Sequence, residues 1–321
     1  MIQLRADPWR PDHGVGAEVS FEDEMTRAIT DPTVETEDWS RPVSPPPCPQ
    51  DAVVFVDGVM RAELRVMASD GDKRAWGLIG SFAAGAVRCD GSASFVAEER
   101  PVGRTFLLGG RIEAPDLEIT IGQATLAYRC RATTDDSPTG LRRGLQRLML
   151  AEEQRLAAEL ARDTIVFADG PLHLDSAAGK SRVVGVVKRM VSAYLDGEHA
   201  RLLPTLQPGE RTPIFGLGNN VLDRYAWYVR LLPQNDAWHE LAGLVRCEVR
   251  MELGLEAATR IADMVACHLP AYAGRPGVDP RAPQNLTPVG ALEARLKHRL
   301  GSSTIIGRAL TARLVEGNGH A

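Results

Sequence analysis

Paired cysteines are missing from this sequence. Its five (Cys48, Cys89, Cys130, Cys247 and Cys267) are scattered, and no two stand in a CxxC spacing. An odd, dispersed set argues against a disulfide framework and against a zinc site, and it fits a reducing cytoplasm. Long hydrophobic runs are missing too: no apolar stretch approaches the roughly 20 residues that a membrane span needs. The opening MIQLRADPWRPDHG has no basic run followed by an apolar one, so no secretory leader is expected. The seven histidines show no HxxxH spacing, and there is no GxSxG elbow for a serine nucleophile. The phosphate-cradling loop is broken as well, because LDSAAGKS at 174–181 has Leu174 where the first glycine is required. Lysine is scarce. Only Lys73, Lys180, Lys188 and Lys297 stand among 37 basic residues, which gives each lysine added interest as a functional candidate.

What is present suits a soluble intracellular α/β protein. The 321 residues are 44% hydrophobic and 25% charged, enough to enclose a buried polar site. A net charge of −5 does not advertise a nucleic-acid binder, but phosphate binding depends on local patches more than on the total. Residues 1–50 are polar and end in RPVSPPPCPQ, which reads as an arm and stiff linker with one short helix around FEDEMTRAI. Residues 51–315 read as the folded body and 316–321 as a tail. DAVVFVDG predicts a buried central strand that stops at Asp-Gly. MRAELRVMAS, WGLIGSFAAGAVRC, SFVAEERPV and LEITIGQATLAYRCR predict an antiparallel meander. SPTGLRRGLQRLMLAEEQRLAAELARD predicts a long amphipathic helix feeding TIVFADG, a second buried strand that also ends in Asp-Gly. Strands and helices alternate beyond it. Strands first, a helix, then a strand beside the first is the order of a ribonuclease H-like mixed sheet flanked by helices, here with extra C-terminal strands and helices.

The chemistry sits in carboxylates. Asp57 and Asp169 each follow four or five apolar residues, and each precedes a glycine that lets the chain turn away. Were the strands neighbours, two anions would face one crevice and would have to share a proton or bind a cation. Oxygen ligands of this type suit Mg²⁺ or Mn²⁺. Two ordinary Asp-Gly turns are the competing explanation. On the long helix, Leu145, Leu148, Met149, Leu156 and Leu160 form one apolar face, with Glu152 near its middle and Glu153 toward its edge. Glu152 is therefore the expected third ligand, unless one of the many arginines pairs with it. Carboxylates on strand, helix and strand suit metal-assisted phosphodiester hydrolysis.

Beyond these carboxylates, an ordered series of motifs resembles the NurA nuclease domain. It comprises FVDG at 55–58, the helix bearing Glu152 and Glu153, FADGPL at 167–172, GVVKR at 185–189, YVRL at 228–231 and RCEV at 246–249. The resemblance implies a homodimeric, Mn²⁺-dependent (or Mg²⁺-dependent) DNA nuclease, 5′–3′ exonuclease or endonuclease. It further implies work with a HerA-type hexameric ATPase in DNA end resection and repair. It assigns Asp57, Asp169 and the helical glutamate to the metal, and Lys188 to the scissile phosphate. One element departs: the family's Tyr-Pro segment and Ala-His pair have no counterpart in RAPQNLTPVGALEARLKHRLG, where Glu293 is the candidate fourth ligand instead. A nuclease of the same fold with another nucleic-acid substrate, or a non-catalytic dimeric adaptor of the ATPase, are the alternatives.

Overall fold

The structure is a computed structural model, and it describes residues 2–7, 28–47, 51–96, 100–162, 164–172, 182–188, 194–219, 221–234, 238–279, 281–282 and 284–318. The expected short helix around FEDEMTRAI falls almost wholly outside them. In chain order the strands before the long helix are β1 (Gln3–Ala6), β2 (Ile29–Asp31), β3 (Val53–Asp70), β4 (Lys73–Asp90), β5 (Ser92–Val96), β6 (Gly103–Leu108), β7 (Leu117–Ile121) and β8 (Ala124–Ala132). Helix α1 (Pro138–Leu160) leads to β9 (Ile165–Asp169), β10 (Val183–Val187), α2 (Gly197–Leu202), β11 (Phe215–Gly218), β12 (Leu222–Arg230) and β13 (Leu244–Arg250). Helices α3 (Leu255–His268), α4 (Thr287–Arg299) and α5 (Ser303–Asn318) follow.

These strands form one mixed sheet in the order β2-β11-β12-β13-β10-β9-β3-β4-β6-β8-β7, with β1 on β3 and β5 on β4. At its centre β3, β9 and β10 run parallel, and the β3–β4–β6 meander is antiparallel. This is the expected mixed sheet flanked by helices, with β9 set parallel beside β3 after α1; the strands before α1 are not all antiparallel as expected, because β8 runs parallel to β6. Helix α1 begins where Ser137 accepts the Gly140 N–H at 3.0 Å, with Pro138 in its first turn. It lies on one face, Leu156 and Ala157 against Val54, Val56 and Val166. Helices α3 and α4 cover the other face, where Ile261, Val265, Leu292 and Leu296 pack with Val53, Phe55 and Phe167. Burying each such side chain contributes roughly 1.5–3 kcal/mol. The α4 C-terminus is held by Arg61, which donates to the carbonyls of Gly301 and Leu300, and by Arg104, which also donates to Leu300.

Four expectations change. The first strand does not stop at Asp57-Gly58: β3 runs through both to Asp70. Gly58 serves close approach instead of a turn, because a Cβ there would lie 2.9 Å from Met149 and 3.1 Å from Glu153 Oε2 on α1. The C-terminal segment carries a further helix, α5, whose Ile306, Leu310 and Leu314 cover the β3–β8 end of the sheet and which extends past residue 315. Cysteine chemistry differs as well. Cys89, Cys130 and Cys247 are free, but Cys267 is disulfide-bonded.

The stretch read as an arm is tied into the body. Strand β2 pairs with β11, and Trp39 is buried with Tyr228 and Leu244. The tie centres on Arg211, fully enclosed, which donates to both oxygens of Glu35 at 2.8 Å and to Asp263 at 2.7 Å. Glu35 also accepts the Ile214 N–H at 2.6 Å. Deleting one member leaves charge with no partner in a half-dry setting. Arg211→Ala should therefore destabilise the protein by about 3 kcal/mol, read as a lowered urea midpoint; an unchanged midpoint would show that the tie contributes nothing.

Candidate active site

Register puts three polar side chains at one place. Strands β3 and β9 pair from Val53↔Ile165 to Val56↔Ala168, so Asp57 and Asp169 occupy the next matched position. Strands β9 and β10 pair up to Asp169↔Val186, and Lys188 lies two residues on, on the same face as Val186. Asp57, Asp169 and Lys188 thus stand across three parallel strands, on the face that α3 and α4 cover. Strand β9 ends at Asp169 because Gly170 takes a φ of 94° and turns the chain aside. The next residues are anchored from behind by Glu248, which accepts the Leu172 N–H at 2.6 Å. Beyond that turn β3 continues with no partner in β9, which opens a gap in the sheet beside Asp57.

The gap lets α1 reach the site from the opposite face. Its inward carboxylate is Glu153, 5% exposed and close against Gly58. This corrects the expectation for Glu152, which turns outward to ion pairs with Arg100 (2.6 Å) and Arg155. The reason lies in the small residues. Gly140 and Ala157 are buried with Leu141, Leu145 and Leu156, whereas Leu148, Met149 and Leu160 are only half-buried, and this rotates the inner face onto position 153.

Electrostatically the site is a concentration of buried carboxyl groups. Asp57 is pushed up to about 8, first by burial and then by the charge of Asp169, against the opposing pull of Lys188. Glu153 is raised well above the usual carboxylate range by burial, then by Asp57 and Asp169. Asp57 Oδ2 is enclosed and finds no hydrogen-bond donor among the described residues. Asp169 is better served: Lys188 Nζ donates to its Oδ2 at 2.9 Å. Glu293 stands at the periphery. Burial alone would raise it, but hydrogen bonds from Arg281 (2.9 Å) and Lys297 (3.1 Å) hold it below its ordinary value. Its charge still reaches Asp57, yet both of its oxygens are engaged.

An orphaned, buried carboxylate oxygen amid oxygen donors is a fit for a hard divalent cation. Asp57, Glu153 and Asp169 are the carboxylates that would have to close around one. As placed, no group of three acidic, histidine or cysteine side chains among the described residues forms a metal-binding set, and Lys188 holds Asp169 instead. Sequence reasoning passed over Asn285, which accepts from Lys188 at 3.4 Å, and Asp279 beside it; neither had a motif to mark it.

No protein-family model matches the chain, and no curated protein matches it in sequence. Among solved structures it is similar to the crystal structure of the NurA nuclease from Sulfolobus solfataricus, at 11% identity over 84% of each chain. The TM-score is 0.43.

The pKa of Asp57 has a consequence for stability. The folded chain keeps a proton that the unfolded chain releases near pH 3.8, so stability is fully present below that pH and falls as pH rises toward about 8. In chelator-containing buffer, Asp57→Asn should melt at nearly the wild-type temperature at pH 4 and several degrees above it at pH 8.5. A constant difference across that range would contradict the burial argument.

Proposed function

We propose that this chain is a divalent-metal-dependent phosphodiesterase that cleaves DNA. The observation that carries the reading is the pair of buried carboxylates, Asp57 and Glu153, set over Asp169 at the ends of parallel strands. Charge of one sign taken out of water, with Asp57 Oδ2 left without a donor among the described residues, costs several kcal/mol per ion unless a cation shares the site. Mn²⁺ or Mg²⁺ held by Asp57, Glu153 and Asp169 would polarise a phosphoryl oxygen and lower the pKa of an attacking water. The chain's own groups supply the rest. Lys188 brings an ammonium to the same strand ends, where it can meet a non-bridging phosphate oxygen and offset developing charge. The apolar floor of Phe55 and Phe167 keeps bulk water from beneath the carboxylates and strengthens every charge interaction above it.

The finer assignment follows the sequence resemblance: a homodimer, 5′–3′ exonucleolytic or endonucleolytic cleavage, and partnership with a HerA-type hexameric ATPase in end resection and repair. Among the described residues no helix is long and apolar enough to cross a membrane. The cytoplasm is the proposed location. One observation favours a second reading, a non-catalytic adaptor of that ATPase: Lys188 already satisfies Asp169, and Glu293 is occupied by Arg281 and Lys297.

Labelled linear duplex DNA with Mn²⁺ separates the two. Cleavage should fall by about 100-fold or more in Asp57→Ala and in Glu153→Gln, and by a similar factor in Lys188→Ala. Glu152→Gln should stay within about twofold of wild type, since Glu152 is ion-paired with Arg100 and Arg155 and does not face Asp57. Absence of cleavage by the wild-type protein with either metal would favour the adaptor.

A further inference from the structure

Asn285 is a buried amide, 3% exposed, in the turn that leads into α4. Each of its polar groups is engaged. Its backbone N–H donates to the Arg281 carbonyl at 3.2 Å, and its carbonyl accepts the Gly274 N–H at 2.6 Å. Its side-chain Nδ2 donates to Asp279 Oδ2, and its Oδ1 accepts from Lys188 Nζ at 3.4 Å. Asp279 is fixed in turn, because its other oxygen accepts the Arg281 N–H at 2.8 Å. A carboxylate only accepts, so the amide has one orientation: its NH₂ toward Asp279 and its oxygen toward the lysine. A relay thus runs from the Arg281 backbone through Asp279, Asn285 and Lys188 to Asp169.

We propose that Asn285 is a positioning residue that retains the Lys188 ammonium over the strand ends when Asp169 turns its oxygens to a cation. The inference rests on the metal-dependent reading above. The distances carry it. Lys188 lies 2.9 Å from Asp169 and 3.4 Å from Asn285, so the carboxylate is the stronger partner in the metal-free protein and the amide the second anchor. A lysine stem has about 2 kcal/mol of rotamer entropy to regain on release. An ammonium that lost Asp169 with no second acceptor would swing toward water, and the site would lose its cation for phosphate at the moment of need. Asn285 prevents this without adding negative charge to a site that already has too much. The loop itself does not depend on the amide, since the backbone bonds to Gly274 and Arg281 close it.

With only four lysines in the chain, brief acylation followed by peptide mass spectrometry reads Lys188 directly. The metal-free full-length protein is used, with Asp169→Asn standing in for engagement of that carboxylate. Asp169→Asn alone should leave Lys188 slow to label. Adding Asn285→Ala should speed labelling of Lys188 by about tenfold, the scale of one hydrogen bond to a charged group. Exchanging the relay pair, Asp279→Asn with Asn285→Asp, in the same background restores an acceptor facing the lysine and should return labelling to the slow rate. Alkylation of the fully buried Cys247 reports global opening and should stay unchanged throughout. With Mn²⁺ and DNA, Asn285→Ala should lower kcat and leave KM nearly unaltered. The inference is overturned if Lys188 labels no faster after Asn285→Ala, or if the exchanged pair fails to restore protection. Cleavage that survives Asp57→Ala would instead sink the nuclease reading, and the labelling result would still decide the role of Asn285.

Discussion

Negative charge removed from water where β9 ends is the constraint on which this structure turns. Three carboxylates converge there, and one lysine faces them. Elsewhere the fold pairs its buried ions closely: Glu35 with Arg211, Glu63 with Arg61, Glu248 with Arg224. A chain that solves the problem with arginine at those places leaves Asp57 and Glu153 without one among the described residues. The contrast separates a site from a structural ion-pair network. Both perturb pKa values, but at the site the only opposing charge acting on Asp57 and Glu153 among the described residues is Lys188.

Sheet topology explains how charge from both faces meets. Side chains alternate along a strand, so Asp57 points to the face covered by α3 and α4, and Gly58 to the face covered by α1. Across an intact sheet a glutamate on α1 would never reach an aspartate on the opposite face. Strand β9 stops beside Asp57, the gap opens, and the glycine at 58 lets α1 lie close enough for Glu153 to use it. A side chain at 58 would push against Met149 and the glutamate's own oxygen. The two Asp-Gly pairs therefore look alike in sequence and do different work: Gly170 turns the backbone, and Gly58 admits a neighbour.

That difference marks where the sequence stops being informative. Apolar runs ending in aspartate revealed Asp57 and Asp169, since burial of a strand leaves its signature in consecutive residues. The long helix was plain for the same kind of reason. Its inward glutamate was not, because hydropathy gives weight to Leu148, Met149 and Leu160 and none to Gly140 and Ala157. Small residues mark the closest approach to the sheet, and they place Glu153 four positions before Ala157 and three before Leu156, on the inner face. Asn285 and Asp279 lie about 100 residues beyond Lys188 in a polar turn. Only the packing of α4 over β3, secured by Arg61 and Arg104 at the helix end, brings that turn to the site.

The turn before α4 and the helix itself can be understood through charge, since they supply an amide and a carboxylate held by two cations. The amide faces the lysine and does not titrate; the carboxylate is kept ionised at a distance by Arg281 and Lys297. The outer wall of the site thus holds its charge state while Asp57 and Glu153, deeper in, change theirs. Within that fixed wall the protonation of Asp57 is set by burial and the charge of Asp169, which push its proton on, against Lys188, which pulls it off.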